Sequence, residues 1–152
     1  MKTLMKITLL LAIVAVAATA PASAPAAVSC HIINAKGIGQ DNGDLTTNAQ
    51  IIGGGLLHGT TEAAFTPAGF VFPIFSFTGT ITFTTNNGTL TAGLTGSLNV
   101  VTGQFTGTTT SMSGTGQLAG VTGELTLNGV EDLTTGVFTE DVTGEICVDL
   151  AP

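Results

Sequence analysis

Hydrophobic and polar residues alternate along most of the chain after residue 27, and the pattern is clearest over residues 75–100. Apolar side chains occupy odd positions up to residue 83 and even positions from residue 90, with threonines between them. The segment Asn86-Asn87-Gly88 separates the two runs and supplies residues that tolerate the positive φ of a tight turn. A period of two predicts a β-hairpin with one apolar face and one hydroxyl face. The apolar face comprises Phe75, Phe77, Ile81, Phe83, Leu90, Ala92, Leu94, Leu98 and Val100.

The same alternation predicts six further strands, and no segment after residue 27 shows the 3.6-residue period of a helix. Eight short strands with Gly- or Asn-marked turns are typical of an all-β sandwich or barrel. A β-solenoid is not expected, because the Thr-Gly pairs recur at irregular intervals. The six strands are Ser29–Gly37, Thr47–Ile52, Leu56–Phe65, Gln104–Thr110, Glu124–Glu131 and Val137–Asp149.

The two cysteines favour the barrel. Cys30 lies in the first predicted strand and Cys147 in the last, and a disulfide would bring these strands within about 6 Å at their Cα atoms. This is how an up-and-down sheet closes, and closure removes the free edges that a chain with few charges cannot protect. We therefore predict one closed, or nearly closed, antiparallel eight-stranded barrel with a Cys30–Cys147 disulfide. A two-sheet sandwich is the alternative, and a metal or redox role for the cysteines is a lesser one.

Residues 1–26 have the pattern of a secretory signal peptide. Lys2 and Lys6 precede an apolar stretch over residues 7–20, followed by a Pro/Ala segment. The stretch is shorter than the roughly 20 residues that span a bilayer. We expect cleavage after Ala26, which leaves a β-barrel domain, residues 27–152, that is secreted or periplasmic and has no membrane span. The alternative is a lipoprotein anchored at Cys30 through the loose lipobox of residues 27–30.

Composition narrows the classes of partner. Only 9 % of the 152 residues are charged, against about a quarter in an ordinary domain. From residue 27 onward, Lys36 is the single basic residue beside ten carboxylates. Nucleic acid and anionic membranes are therefore not expected as partners, since phosphate binding needs clustered Lys or Arg. The chain contains 28 threonines, so hydroxyl groups are expected to keep it soluble.

Few residues offer catalytic or metal-binding chemistry, and we predict no catalytic residue, metal site or cofactor. His31 and His58 have no partner at catalytic spacing in the sequence. The loop at residues 41–44, Asp-Asn-Gly-Asp, lacks the spacing of a calcium loop and is interpreted as a turn. Glu140 shares the parity of Phe138 and Val142. It is the one carboxylate expected to be able to point inward, where burial would raise its pKa.

Five of the eight phenylalanines lie between residues 65 and 77, with Pro67 and Pro73 interrupting the run. Because proline cannot donate to a sheet ladder, the Phe70-Val71-Phe72 segment is expected to form a loop or edge at one end of the barrel. It would act either as a plug that completes the core or as an aromatic lip over a pocket.

Residues 114–123, Gly-Thr-Gly-Gln-Leu-Ala-Gly-Val-Thr-Gly, have the form G-T-G-x-Φ-x-G-Φ-x-G and precede a predicted strand. This segment, together with the strand count and the hairpin, resembles the allene oxide cyclase and dirigent group of eight-stranded barrels and its exported bacterial branch. The resemblance implies a central cavity, which in relatives handles hydrophobic small molecules. It transfers no catalytic residue, because dirigent-like barrels place acidic, Arg and Tyr side chains in the cavity and this chain has neither Arg nor Tyr.

The leading hypothesis is an exported barrel that binds a small apolar molecule in its interior. Two alternatives stay open: an isomerase or cyclase that guides its substrate by pocket shape, with Glu140 as the interior polar group, and a Thr-rich cell-surface or matrix protein. The expected cavity lining consists of Phe75, Phe77, Phe83, Leu90 and Leu94, together with Glu140.

Overall fold

Residues 28–149, the part of the chain that the computed structural model describes, form eight antiparallel strands that pair in sequence order. The predicted signal peptide, residues 1–26, lies outside these described residues. Two single turns of 3-10 helix, η1 (Gly55–Leu57) and η2 (Gly116–Leu118), interrupt the connections. The strands are β1 (Val28–Asp41), β2 (Thr46–Gly53), β3 (Gly59–Val71), β4 (Ile74–Thr85), β5 (Gly88–Asn99), β6 (Gln104–Gly114), β7 (Thr122–Glu131) and β8 (Val137–Asp149).

The sheet closes on itself because the first strand pairs with the last. β1 and β8 are antiparallel neighbours from Val28 opposite Asp149 to Gln40 opposite Val137. Cys30 stands directly opposite Cys147 in this ladder, and the two form a disulfide. The predicted closed barrel and the predicted disulfide are both confirmed, and the sandwich alternative is wrong. The bond also occupies the Cys30 thiol that lipid anchoring would need.

The strand boundaries differ from the predictions mainly around β3. Leu56 and Leu57 lie in η1, and the strand begins at Gly59 and continues to Val71. Its last residues extend past β2, whose ladder with β3 ends where Thr46 pairs with Ala64. Pro67 is accommodated because the β3–β4 register shifts between Pro67 and Gly69, which is how a sheet tolerates a residue that lacks an amide hydrogen.

The strand connections at one end of the barrel cover a densely filled interior, and we call this the capped end. Here β2 passes to β3, β4 to β5, and β6 to β7. Leu57 of η1 and Leu118 of η2 are fully buried and close this end, and Val121 is nearly so. Each fully buried Leu stabilises the fold by about 1.5–3 kcal/mol. Side chains beneath them that are also fully buried include Ile51, Phe83, Leu90, Leu125, Ile146 and Val148.

The outer face of the barrel carries the hydroxyl groups that the alternation predicted. Thr82 and Thr91 are cross-strand partners, and their Oγ1 atoms are 3.1 Å apart. Lys36 donates to Asp141 at 2.6 Å on the exposed side of the β1–β8 ladder, a surface pair that contributes little to stability. Within residues 28–149, no helix has both the length and the apolar character needed to cross a bilayer.

Candidate functional site

The opposite end of the barrel is hollow. We call it the open end; it is where β1 passes to β2, β3 to β4, β5 to β6, and β7 to β8. A cavity of about 120 Å³ runs from this end toward the middle of the barrel. Its wall is mostly apolar, with three carboxylates set into it. The wall residues are Asp41, Leu45, Thr47, Thr61, Ala63, Phe65, Phe75, Phe77, Ile81, Leu94, Leu98, Phe105, Gly107, Leu127, Glu131, Phe138 and Glu140.

The structure brings four of the six predicted lining residues into this wall and places two elsewhere. Phe75, Phe77, Leu94 and Glu140 line the cavity. Phe83 and its cross-strand partner Leu90 do not; they are fully buried in the filled half of the barrel. Both belong to the apolar face of the hairpin, but they lie next to its turn, at the capped end. Alternation identifies the inward face of a strand and not the depth at which the interior becomes hollow.

Aromatic rings form much of the wall. The rings of Phe65 and Phe77 meet edge to face with centroids 4.9 Å apart, and those of Phe105 and Phe138 do so at 5.7 Å. Phe75 lies 6.4 Å from Phe77. Such pairs add about 0.5–1.5 kcal/mol each beyond the area they bury, so they hold the wall in place without filling its centre.

The Phe70-Val71-Phe72 segment neither plugs the barrel nor covers the cavity. Phe70 and Val71 are the last residues of β3, and Phe72 lies in the turn with Pro73. All three are well exposed, and none is part of the cavity wall. The plug interpretation is therefore wrong: the end of the β3–β4 hairpin projects beyond the barrel, because β2 is too short to flank it.

Glu140 is the most unusual residue of the wall. Only 7 % of its surface is exposed, and it makes no ion pair and no side-chain hydrogen bond among the residues described. Its cross-strand neighbours on both sides are glycines, Gly37 on β1 and Gly129 on β7. A Cβ atom at Gly37 would lie 2.6 Å from both Cγ and Oε1 of Glu140. The carboxyl group therefore occupies space that the missing side chain of Gly37 leaves free.

Burial alone accounts for the acid–base behaviour of this group. Desolvation raises the pKa of Glu140 from 4.5 to about 7, because transferring a carboxylate out of water disfavours its charged form. No nearby cation offsets the effect. The side chain therefore changes between neutral and charged forms near neutral pH, inside a mostly apolar cavity.

Two more carboxylates, Asp41 and Glu131, lie in the wall at the open end. They are the last residues of β1 and β7, the two strands that flank β8. Burial raises the pKa of Glu131, and so does the nearby charge of Asp41. This pair was not among the residues expected in the lining. The alternation could have indicated that Glu131 points inward, because it has the same parity as Leu125 and Leu127 on the inward face of β7.

The two histidines lie away from this cavity, and the loop at residues 41–44 reaches it only through Asp41. His58 is exposed beside η1, and His31 contacts Ser29, with 3.2 Å between Ser29 Oγ and His31 Nε2. In the 41–44 loop, Asp41 Oδ1 accepts a hydrogen bond from Gly43 N, which is ordinary turn chemistry. The one described group of potential metal ligands joins Glu145 to Cys30 and Cys147, whose sulfurs are already bonded to each other.

We expect the Gly37→Ala substitution to lower the free energy of unfolding by about 1–3 kcal/mol, because the new methyl group overlaps Glu140. The three atoms nearest to that methyl position all belong to Glu140. In a Glu140→Ala background the same change should therefore cost little, and a denaturation double-mutant cycle measures the difference. Gly69→Ala, where the methyl group meets nothing within 4 Å, is the control. Equal costs in both backgrounds would contradict the proposed packing of Glu140 on Gly37.

Searches against protein-family models, characterised proteins and solved structures found no match to this chain.

Proposed function

We propose that this protein is an exported carrier or binding module that takes a small, mostly apolar molecule into the open end of its barrel. The observation that carries the proposal is the cavity itself. Its wall holds five phenylalanines and several aliphatic side chains, and it sits in a barrel whose other half is densely packed. Ligand sites are typically concave and apolar with a few placed polar groups.

The volume limits the size of the ligand. A cavity of about 120 Å³ is close to the roughly 150 Å³ of an engineered apolar cavity that binds benzene. It is below the roughly 300–1,000 Å³ of pockets for drug-sized molecules. We therefore expect one ring or a short alkyl chain inside the barrel, with any larger part of the molecule left at the open end.

Two features support a compartment outside the cytoplasm. A disulfide between Cys30 and Cys147 indicates an oxidising environment outside the cytoplasm. Residues 1–26 have the composition of a secretory signal peptide. We propose that the barrel meets its ligand in the periplasm or the extracellular space. The resemblance to allene oxide cyclase and dirigent barrels supports a small apolar ligand, since members of that group handle hydrophobic small molecules.

Small apolar compounds such as toluene and cyclohexane should raise the melting temperature of the protein. A ligand that binds only the native state adds about 2.7 kcal/mol of stability at 100 times its Kd. The Ala63→Leu variant places three more carbon atoms in the cavity wall and should weaken binding at least tenfold. Thermal-shift and calorimetric titrations measure both effects.

The control for this experiment is Ala64→Leu, because Ala64 is the next residue on β3 and is exposed on the outer face. It should bind the same compounds as the unmodified protein. Absence of any shift across the set of compounds, or equal binding by Ala63→Leu, would contradict the proposal.

A second candidate function rests on Glu140. A carboxyl group with a pKa of about 7 in a mostly apolar cavity suits general acid–base catalysis near neutral pH, as an isomerase or cyclase would need. The two functions differ in the fate of the bound compound. A binding module returns its ligand chemically unchanged, whereas an isomerase returns a rearranged product, and mass spectrometry with NMR on the recovered compound distinguishes them.

A further inference from the structure

The charge of the cavity wall points to the chemistry of the ligand's polar end. Glu140, Asp41 and Glu131 all line the cavity. Lys36 is the only Lys or Arg between residues 28 and 149, and it is paired with Asp141 on the outer face, while His31 and His58 are not part of the cavity wall. Every ionisable group in the wall is therefore acidic, and an anionic ligand would meet only repulsion there.

Glu140 is the residue that most needs a partner from outside the chain. It is more than nine-tenths buried, lines the cavity, and has neither an ion pair nor a side-chain hydrogen bond within the described structure. The carboxylate oxygens still touch the cavity, because no fully enclosed side-chain oxygen among residues 28–149 lacks a partner, but their partial desolvation costs stability when the group is charged. The absence of a side chain at Gly37 leaves room for this carboxyl group. A ligand that donates a hydrogen bond, or brings a positive charge, removes that cost.

A bare metal ion does not fit this arrangement. The oxygens of Asp41, Glu131 and Glu140 do not form a group that lies within 4.8 Å of one another; among residues 28–149 that spacing occurs only at Cys30, Glu145 and Cys147. Glu140 also lies among phenylalanine rings, whereas Ca²⁺ and Mg²⁺ need six or more oxygen ligands. An organic cation suits the site better, because its apolar body fills the cavity and its head meets a carboxylate.

We propose that the ligand is a small organic amine, with a single ring or short alkyl group in the cavity and its ammonium group on the Glu140 carboxylate. This inference rests on the proposed binding function and specifies the chemical class of its ligand. The Asp41–Glu131 pair at the open end attracts such a cation and disfavours carboxylic acids of the same size. Aromatic faces in the wall add cation–π attraction.

Three compounds with the same ring and different heads test this inference: benzylamine, benzyl alcohol and benzoate. Calorimetry on the intact barrel at pH 7.5 should show benzylamine binding roughly tenfold or more tighter than benzyl alcohol, since hydrogen bonds to charged groups are the stronger ones. Benzoate should bind weakest. Benzylamine binding should also release protons, because a cation favours the ionised form of Glu140; two buffers of different ionisation enthalpy reveal this release.

The Glu140→Gln variant should bind benzylamine no tighter than benzyl alcohol and should release markedly fewer protons than the unmodified protein. Glu145→Gln, an exposed carboxylate on the same strand, is the control and should leave all three affinities unchanged. Tight benzyl alcohol binding equal to that of benzylamine, or preferred binding of benzoate, would overturn the amine inference and leave the binding function standing. If none of the three compounds binds, the amine inference fails, and the toluene and cyclohexane titrations then decide the binding function on their own. Should Glu140→Gln not fold, the order of the three affinities in the unmodified protein still decides the matter.

Discussion

Reducing the Cys30–Cys147 disulfide should lower the free energy of unfolding by about 4–5 kcal/mol. The bond links residues 117 positions apart, so in the chain-entropy treatment it removes much of the freedom of the unfolded chain. It also joins β1 to β8, the pairing that closes the barrel. For a domain of this size, the loss corresponds to a fall in melting temperature of roughly 15 °C. Thermal and urea unfolding with and without dithiothreitol measure it.

The chain offers a clean control, because its sequence contains only these two cysteines. A Cys30→Ser/Cys147→Ser variant should resemble the reduced protein and should not respond to dithiothreitol. If reduction leaves the unfolding midpoint unchanged, the β1–β8 ladder closes the barrel by its backbone hydrogen bonds alone, and the disulfide has no role in stability.

Raising the pH from 4 to 8.5 should cost the folded protein about 3 kcal/mol through Glu140 alone. Below pH 4.5 the carboxyl group is protonated in both the folded and the unfolded chain, so it costs nothing. Between pH 4.5 and pH 7 the unfolded chain releases the proton while the folded chain keeps it, since burial raises the pKa of Glu140 to about 7. Stability therefore falls through this range, and the loss is complete above it.

The Glu140→Gln variant isolates this effect, because glutamine has the shape and polarity of a protonated glutamate. It should match the unmodified protein near pH 4.5 and exceed it by about 3 kcal/mol at pH 8.5. Asp41 on β1 and Glu131 on β7 share the cavity with Glu140 and are present in both proteins, whereas Lys36 and Asp141 lie on the outer face. Urea unfolding as a function of pH makes the comparison.

Glu145→Gln serves as the matched control, since Glu145 lies on the same strand and is exposed. Its stability should follow that of the unmodified protein at every pH. If the stability of Glu140→Gln also runs parallel to that of the unmodified protein, Glu140 is solvated in the folded state and cannot serve as the buried partner of a ligand.

The fall in stability with pH bears on function. A leucine at position 140 would suit a barrel interior better than a carboxyl group with no partner, because an unpartnered buried charge is among the costliest features of a fold. Proteins keep such features where activity needs them. Glu140 is thus the residue at which stability and the proposed binding of an amine oppose each other.

Much of the fold follows from local pattern. The alternation of apolar residues and threonines in the hairpin, the turn at Asn86-Asn87-Gly88 and the parity of Glu140 all depend on the two-residue period of a strand. The cysteines in the first and last strands then indicate closure. These features can be predicted from neighbouring residues alone. Closure is the exception, because it depends on the covalent bond that connects the two ends of the domain.

The candidate site was only partly predictable, because it depends on contacts between residues that are distant in the sequence. Phe75 and Phe83 have the same parity on the same strand, yet Phe75 lines the cavity and Phe83 is fully buried in the core. What separates them is the covering of one end of the barrel by Leu57 and Leu118, which belong to connections far away in the sequence. Asp41 and Glu131 likewise meet only because β1 and β7 both flank β8.

The sequence by itself therefore determined which side chains face inward, how many strands form, and which two strands close the ring, because each of these follows from residue spacing or from a covalent bond. The tertiary structure alone decided which end of the barrel is filled and which is hollow, and which carboxylates share the hollow end. Those outcomes depend on how the loops pack across the ends of the barrel, and a pattern read along a single strand carries no information about that packing.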